Sequence, residues 1–251
     1  MHHLQSRLLE QFPQIIHTFT TRHGGQSHSP YASNNIAFHV GDDKKDVLAN
    51  HQKLAHDLGY DPGRLIHMRQ IHSDRVTIVD DSFDFNIPPE CDALVTDAPN
   101  LPLMVMVADC TPILVYDPNR QVIAAIHAGR AGAFKNIISK TVAVMEESFQ
   151  SNPADLVAVL GPSIGVCCYE VGDIIYEEAK GMNLVYAVKK EERKYYLDVK
   201  QILNRQLLQA GLSAEHIEDI EQCSACEHDT FFSYRADRQK TGRMAGLIML
   251  R

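Results

Sequence analysis

Short, continuously apolar runs are the feature that most restricts the fold of this chain. The runs are four to six residues long, are rich in branched and aliphatic side chains, and cover residues 103–108, 113–116, 122–126, 156–160 and 247–250. Such runs predict β-strands. A strand with one solvated face alternates apolar and polar residues, and these runs do not alternate. They therefore predict sheets that are covered on both faces.

Amphipathic segments between the runs predict the covering helices. Three such segments are residues 43–58, 134–149 and 198–211. Asp42 or Asp43 can cap the first, and Gly59 stops it. Asp198 followed by Gln201 is typical of a capping box at the start of the third. Because helices and strands alternate without a repeat or a linker, residues 1–251 are predicted to form a single mixed domain.

The charge of the chain excludes some partners. The formal net charge is −8, with acidic and basic residues scattered along the sequence. This argues against a nucleic-acid backbone as a partner, although a few local arginines can still hold a small anion. No apolar run approaches the roughly 20 residues of a membrane-spanning helix. Residues 1–13 lack the apolar centre of a signal peptide. We therefore expect a cytoplasmic protein without membrane contacts.

The segment 108–129 carries the most informative chemistry. Asp-Pro-Asn-Arg at 117–120 predicts a turn between two strands. If the hairpin is symmetric about residues 118 and 119, Cys110 faces His127 with Cβ atoms about 5 Å apart. An odd-length turn or a bulge would break this register. Six cysteines are too few for a disulfide scaffold in a chain of 251 residues, so a ligand or a nucleophile is the alternative to a buried thiol.

A third metal ligand is available at His72, just before a short strand and beside polar residues. One cysteine and two histidines leave a tetrahedral zinc with an open position, where it supplies hydroxide at neutral pH. Two other interpretations remain open from the residues alone. His127 can act as the base for a nucleophilic Cys110 in a hydrolase, and a cysteine at the start of a strand is often part of the core.

At these residues the chain resembles the laccase-domain family, which is named after polyphenol oxidases and whose members are also described as zinc-dependent purine nucleoside phosphorylases. The matching motifs lie in order at 21–25, 70–72, 91–96, 108–112, 127–129, 161–165, 168–171, 232–235 and 241–243. They extend over nearly the whole chain. Laccase copper clusters need closely paired histidine motifs, and the sequence contains none.

The resemblance implies an α+β fold, with four layers in the order α/β/β/α and mixed β-sheets. It implies a catalytic zinc ion on His72, Cys110 and His127. It also implies phosphorolysis of adenosine, inosine, guanosine and methylthioadenosine, together with adenosine deamination. We expect a monomer or weak homodimer. Some members are named peptidoglycan editing factors, which leaves open a role in binding a cell-wall precursor. One departure is that Arg130-Ala131 stands where the family usually carries tryptophan and a basic residue.

Phosphorolysis also needs groups that hold phosphate and nucleoside. Arginines bind phosphate through paired hydrogen bonds, and our candidates are Arg22, Arg75 and Arg235. Asn35 and Asp109 are further candidates for orienting the substrate or a ligand. Asp109 can equally satisfy backbone N–H groups in its turn.

A second cysteine-rich motif imitates a structural zinc knuckle. It consists of Cys223, Cys226 and His228, with His216 upstream as the fourth ligand. Only Cys223 fits the family pattern, which argues against a second metal. Cys167 and Cys168 are predicted to form a turn packed against the core, because neighbouring residues of a strand point to opposite sides.

Overall fold

The computed structural model describes residues 3–84 and 87–251. The helices of the described chain are α1 (Lys44–Leu58), α2 (Arg130–Phe134), α3 (Ile137–Phe149), α4 (Asp173–Gly181) and α5 (Val199–Gln209). Its strands are β1 (His3–Leu4), β2 (Ile15–Thr20), β3 (Ile66–His67), β4 (Val76–Ile78), β5 (Ala93–Thr96), β6 (Leu103–Val107), β7 (Thr111–Asp117), β8 (Val122–Ala128), β9 (Val157–Leu160), β10 (Glu170–Val171), β11 (Val188–Glu191), β12 (Lys194–Leu197), β13 (Ile217–Asp219) and β14 (Met244–Leu250). The predicted domain 1–251 and the N-terminal segment 1–13 include residues outside this range.

Two large mixed sheets form the centre of the molecule. One has the strand order β1-β2-β14-β6-β3, and the other has the order β13-β9-β7-β8-β5-β4. In each sheet antiparallel pairs predominate, while β3 runs parallel to β6, β4 to β5 and β13 to β9. A small third sheet has the order β10-β12-β11. The predicted mixed sheets are confirmed.

The two large sheets pack face to face between layers of helix. Along β7, Leu114 faces the core shared by the two sheets, whereas Ile113 and Val115 face α3 and α5. On the other side, Leu54 of α1 packs against Met104 of the five-stranded sheet. Every residue of β7 is buried, as expected for a strand that is covered on both faces. The α/β/β/α order of layers is confirmed, and it explains the continuously apolar runs.

Two of the predicted helices begin where the capping residues place them; α1 also ends as predicted, whereas α5 ends at Gln209, before the predicted Gly211. Asp43 accepts a hydrogen bond from the backbone N–H of Lys45, and Gly59 ends α1 at φ 74°. Asp198 accepts from the backbone N–H of Gln201 at the start of α5. No helix in the described ranges is long and apolar enough to cross a membrane.

The predicted helix 134–149 begins three residues later than expected, and its first predicted residue belongs to a separate helix. α2 ends at Phe134 and α3 begins at Ile137. Between them Asn136 adopts φ 58° and caps α3 by accepting from the backbone N–H of Ser139. Asparagine tolerates the left-handed region and is a favoured N-cap, which explains the break at this residue. The spacing of apolar residues continues across the break and therefore did not predict it.

The register of the β7–β8 hairpin differs from the prediction. The turn comprises residues 118–121, and Pro112, not Cys110, is opposite His127. Asp117 accepts hydrogen bonds from the backbone N–H groups of Asn119 and Arg120, which moves the centre of the turn by one residue. The pairing therefore shifts by two residues. Because the side-chain period of a strand is two, a shift of two keeps the same residues on the same face.

Candidate metal centre

The structure brings the side chains of His72, Cys110 and His127 to one place. Their ligand atoms lie within 4.8 Å of one another, and Cys110 Sγ lies 4.0 Å from His72 Nε2. In a tetrahedral zinc site the bond lengths place a sulfur and a nitrogen ligand about 3.6 Å apart. The three residues therefore fit a single ion after a small adjustment. His127 is buried and His72 is exposed, so the centre can be reached from solvent.

Unusual backbone conformations place two of these side chains. His72 has φ 54° and Asp109, directly before Cys110, has φ 84°. The thiol lies against the main chain of Gly129, where an added Cβ would come within 2.6 Å of Cys110 Sγ. Glycine is therefore required at this position for the thiol to reach the two imidazoles.

The carboxylate of Asp92 binds both His127 and the backbone of His72. Its buried carboxylate accepts a hydrogen bond of 2.8 Å from His127 Nδ1 and one of 3.1 Å from the backbone N–H of His72. It also accepts from the backbone and the hydroxyl of Ser73. Burial raises the pKa of Asp92, but the hydrogen bonds from His127 and Ser73 outweigh it and lower the pKa to about 2. The ionised carboxylate fixes the imidazole so that Nε2 of His127 faces Cys110.

Residue type and spacing do not predict a role for Asp92. The only available signal was its place in the family motif 91–96. A carboxylate that binds the non-ligating nitrogen of a histidine ligand is a usual partner in metal sites. Asp92 is therefore the positioning residue of this centre.

Charges within the centre favour the ligand form of Cys110. Burial raises the pKa of this thiol, but the charge and hydrogen bonds of His127 and His72 lower it to about 6. Burial lowers the pKa of His127, whereas the Cys110 thiolate and Asp92 raise it to about 9. A thiolate is the form of cysteine that binds metals or acts as a nucleophile.

The centre lies in a cleft of about 1150 Å³. In the part of the chain that the structure describes, Asp109 is the one carboxylate along its lining. The arginines of the lining are Arg69, Arg130, Arg235, Arg238 and Arg243. Asp109 accepts hydrogen bonds from Ser224, Ser233 and the backbone of Arg235, which partly compensates its charge. A chain of net charge −8 thus has a cationic cleft, which favours an anionic ligand.

Three of these arginines are the best placed to hold an anion. Arg69 lies 2.8 Å from Glu90, and Arg130 forms an ion pair with Glu178. Over the described ranges, Arg235, Arg238 and Arg243 form no such pair with a carboxylate. In the sequence Arg243 is only part of the family motif 241–243, and the tertiary structure adds it to the site.

The other predicted substrate residues are not brought together at the cleft. Within residues 3–84 and 87–251, the lining includes Arg235 but not Arg22, Asn35 or Arg75. Arg22 lies 4.7 Å over the ring of Phe232 and binds the carbonyl of Ala32. Asn35 is buried and accepts from the backbone N–H of Arg243. The side chain of Arg75 is exposed.

Asp109 and Arg130 each have a defined structural contact. The carboxylate of Asp109 holds the segment that carries Ser233 and Arg235, so it satisfies backbone and hydroxyl groups, although not those of its own turn. Arg130 lies over the ring of Phe134 at 5.5 Å and pairs with Glu178 of α4. The residue that departs from the family pattern is therefore held against the wall of the cleft.

The predicted zinc knuckle is not assembled as the sequence suggested. His216 binds the carbonyl of Ala154, and His228 lies 3.5 Å from Asp237. The sulfurs of Cys223 and Cys226 instead meet those of Cys167 and Cys168. These two residues do form a turn, but their side chains are partly exposed and do not pack against the core. The alternation expected of a strand does not apply in a turn.

Comparisons with known proteins agree with the fold and the motifs. The family model described as multi-copper polyphenol oxidoreductase laccase matches residues 16–251. A purine nucleoside phosphorylase of Corynebacterium glutamicum is 39% identical over 92% of this chain and 93% of its own length. The purine nucleoside phosphorylase YlmD of Geobacillus stearothermophilus is 34% identical over 94% of this chain and 90% of its own.

Solved structures of similar proteins superpose over almost the whole chain. A hypothetical protein YfiH of Bacillus licheniformis has a TM-score of 0.91 and 36% identity, and the match covers 96% of this chain and 95% of that one. The crystal structure of YlmD from Geobacillus stearothermophilus has a TM-score of 0.89 and 33% identity, with 96% and 93% covered.

Proposed function

The chain belongs to the multi-copper polyphenol oxidoreductase laccase family, and we propose that it is a zinc-dependent purine nucleoside phosphorylase. The proposed substrates are adenosine, inosine, guanosine and methylthioadenosine, each with inorganic phosphate. One observation carries the proposal: the trio of His72, Cys110 and His127, which could hold a metal ion, lies in a cleft lined by five arginines. The names of the similar proteins support the same class of reaction.

The cleft offers separate features for the two substrates. Phe38 and Tyr234 line it with exposed rings, which suit stacking against a purine base. Arg235, Arg238 and Arg243 suit phosphate, because guanidinium groups bind phosphate oxygens in pairs. Arg243 lies 5.7 Å from the centre of the Tyr234 ring, so a base bound on this ring would lie close to one of the proposed phosphate-binding groups.

The chemistry follows from this placement. A phosphate oxygen forms a bond to C1′ of the ribose while the glycosidic bond breaks, and the base leaves with the bonding electrons and takes up a proton. The sugar becomes cationic in the transition state. The arginines contribute by holding phosphate against C1′, since positioning of reactants supplies much of the rate.

The donor set fits zinc. A thiolate with two imidazoles suits zinc better than the hard cations, which prefer oxygen ligands. His72, Cys110 and His127 would hold the ion, and zinc bound by three protein ligands supplies a Lewis acid with one open position. Asp92 would keep the His127 imidazole in place, as carboxylates do for histidine ligands of zinc.

Adenosine deamination is a second proposed activity of the same centre. In this reaction water adds to C6 of the purine, the C–N bond breaks and ammonia leaves. It requires the base site and the metal centre, but it does not require phosphate. The exposure of His72 toward the cleft supports access of the purine to the centre.

A hydrolase built on Cys110 is the alternative from another class. The hydrogen bond between Asp92 and His127, next to the Cys110 thiolate, also fits a cysteine–histidine–aspartate arrangement. In that arrangement His72 has no chemical role. If the protein binds a cell-wall precursor without turnover, as in a peptidoglycan-editing role, His72, Cys110 and His127 have no chemical role either.

Incubation of purified protein with adenosine separates these possibilities by product. Phosphorolysis gives adenine and ribose 1-phosphate only when phosphate is present. Deamination gives inosine with or without phosphate, and both reactions should stop after chelation and resume with added zinc. Activity that survives chelation but is abolished by alkylation of Cys110 would instead support the hydrolase.

Two histidine variants provide the control. His72→Ala removes a proposed ligand, whereas His56→Ala changes an exposed histidine on α1 that, among the described residues, does not line the cleft. We expect His72→Ala to lose both zinc and turnover and His56→Ala to retain both. Equal activity in the two variants would contradict the proposal and indicate a contaminating enzyme or a binding role.

A further inference from the structure

Four cysteines from two distant loops converge outside the cleft. Cys167 and Cys168 lie in the turn that follows β9, and Cys223 and Cys226 lie in the loop that follows β13. Their four sulfurs lie within 4.8 Å of one another. Cys226 Sγ is 3.4 Å from Cys167 Sγ and 3.3 Å from Cys168 Sγ. All four residues are free thiols.

The spacing of the sulfurs matches a single ion. With zinc–sulfur bonds of about 2.3 Å, the sulfurs of a tetrahedral site are about 3.8 Å apart. Two of the separations, 3.3 and 3.4 Å, are slightly shorter than this value, and none exceeds 4.8 Å. An iron–sulfur cluster holds its cysteine sulfurs further apart, because several metal atoms and sulfides lie between them. Four thiolates around one ion are typical of structural zinc sites.

Backbone groups around Cys223 are arranged as in a metal knuckle. The N–H of Gly165 donates to Cys223 Sγ over 3.2 Å. A Cβ at Gly165 would lie 3.2 Å from Cys167 Sγ, so only the glycine main chain fits easily between the two sulfurs. The spacing Cys223-x-x-Cys226 is that of a ligand pair in zinc knuckles. Backbone N–H groups that donate to sulfur stabilise the thiolate.

The two loops are already joined beside the cluster. Ser163 forms a parallel bridge with Cys223, and the backbone N–H of Ser224 donates to the carbonyl of Ser163 over 3.0 Å. The first loop forms part of the wall of the cleft through Tyr169, and the second supports that wall, because the hydroxyl of Ser224 donates to Asp109. A crosslink between the loops would therefore fix this wall.

We propose that Cys167, Cys168, Cys223 and Cys226 bind one structural zinc ion. This site is separate from the trio in the cleft, and it does not depend on the proposed nucleoside chemistry. Thiolates would occupy all four coordination positions of the ion. The ion would therefore hold the two loops together and would not take part in a reaction. Loss of the ion is expected to loosen the loop that carries Tyr169. Only the kinetic consequence rests on the proposed function: KM for the nucleoside should rise more than kcat falls.

Zinc content per chain tests the proposal with a set of four proteins. The proteins are the wild type, Cys226→Ser, His72→Ala and the double variant, purified with a reductant under nitrogen and dialysed against zinc. We expect two, one, one and no ions, since each substitution removes a ligand from a different site. Equal zinc content in folded wild type and Cys226→Ser would overturn the proposal, whatever His72→Ala shows.

Alkylation of the wild type gives an answer that does not depend on variant folding. N-ethylmaleimide followed by mass spectrometry is expected to leave all four cluster cysteines unmodified with zinc and to modify them after chelation. Cys91 is fully buried and serves as the internal control, because its modification would report unfolding. Equal modification with and without zinc would overturn the proposal. So would a disulfide among the four cysteines in protein that was purified with a reductant.

Discussion

Gly129 offers a direct test of how the thiolate of the metal centre is placed. Its φ of −85° and ψ of −173° suit alanine, so Gly129→Ala introduces no backbone strain. The new Cβ would lie 2.6 Å from Cys110 Sγ, whereas atoms in good contact are about 3.5–4.0 Å apart. The sulfur must therefore move by about 1 Å, several times the tolerance of about 0.2 Å for a metal ligand.

We expect Gly129→Ala to lose zinc from the centre and about 100-fold in kcat/KM, the usual effect of a 1 Å misplacement. Gly132→Ala is the matched control. Its Cβ would meet the carbonyls of His127 and Ser73 at 3.5 Å, an ordinary contact, and alanine should stabilise α2 by roughly 0.5–1 kcal/mol.

The measurements are zinc content, phosphorolysis rate and urea unfolding of both variants after chelation. The chelated Gly129→Ala protein should unfold at a urea concentration close to that of the wild type, because the clash is relieved when the thiol rotates away. Wild-type zinc content and wild-type kcat/KM in Gly129→Ala would refute the placement of Cys110 against the main chain.

Three further predictions concern single residues. Asp92→Asn should weaken zinc binding about 10–100-fold in a chelator competition. The reason is that the amide cannot accept hydrogen bonds from every N–H group that binds the carboxylate. Unchanged zinc affinity would contradict this. Burial lowers the pKa of His17 to about 4, and the Ser6 N–H donates to its Nε2, a bond that protonation of this nitrogen would break. The unfolded chain then binds more protons, so the contribution of His17 to the free energy of unfolding should fall by about 3 kcal/mol from pH 6.5 to 4. Urea titrations should find a smaller loss of stability over this range in His17→Gln. Arg235→Lys should raise KM for phosphate about tenfold in steady-state kinetics. Arg22→Lys should lower the melting temperature and leave KM for phosphate unchanged. The reverse pattern would contradict these assignments.

Most of the local structure could be predicted from the sequence. The buried strands around 103–107 and 122–128 and the caps at Asp43 and Asp198 depend on neighbours a few residues away. The break at Asn136 was missed, because apolar spacing on its two sides is compatible with one continuous helix. The register of β7 and β8 was missed because it depends on which residue of the turn Asp117 binds.

Of the candidate metal centre, the sequence predicted only the three ligand residues. His72, Cys110 and His127 were selected by residue type and by resemblance, and the structure brings their side chains together. That they bind zinc stays a prediction. Asp92 was not selected, because a buried carboxylate gains its role only from the histidine that lies across the sheet from it.

The sequence by itself determined the strands, the helix caps and the types of ligand, since these follow from side-chain period and from bonds between near neighbours. Only the tertiary structure decided which distant groups meet. It gathered arginines from separate segments around one cleft and joined Cys167 and Cys168 to Cys223 and Cys226. The physical reason is that such encounters depend on strand register, on turn geometry and on the packing of two sheets, none of which a local pattern encodes.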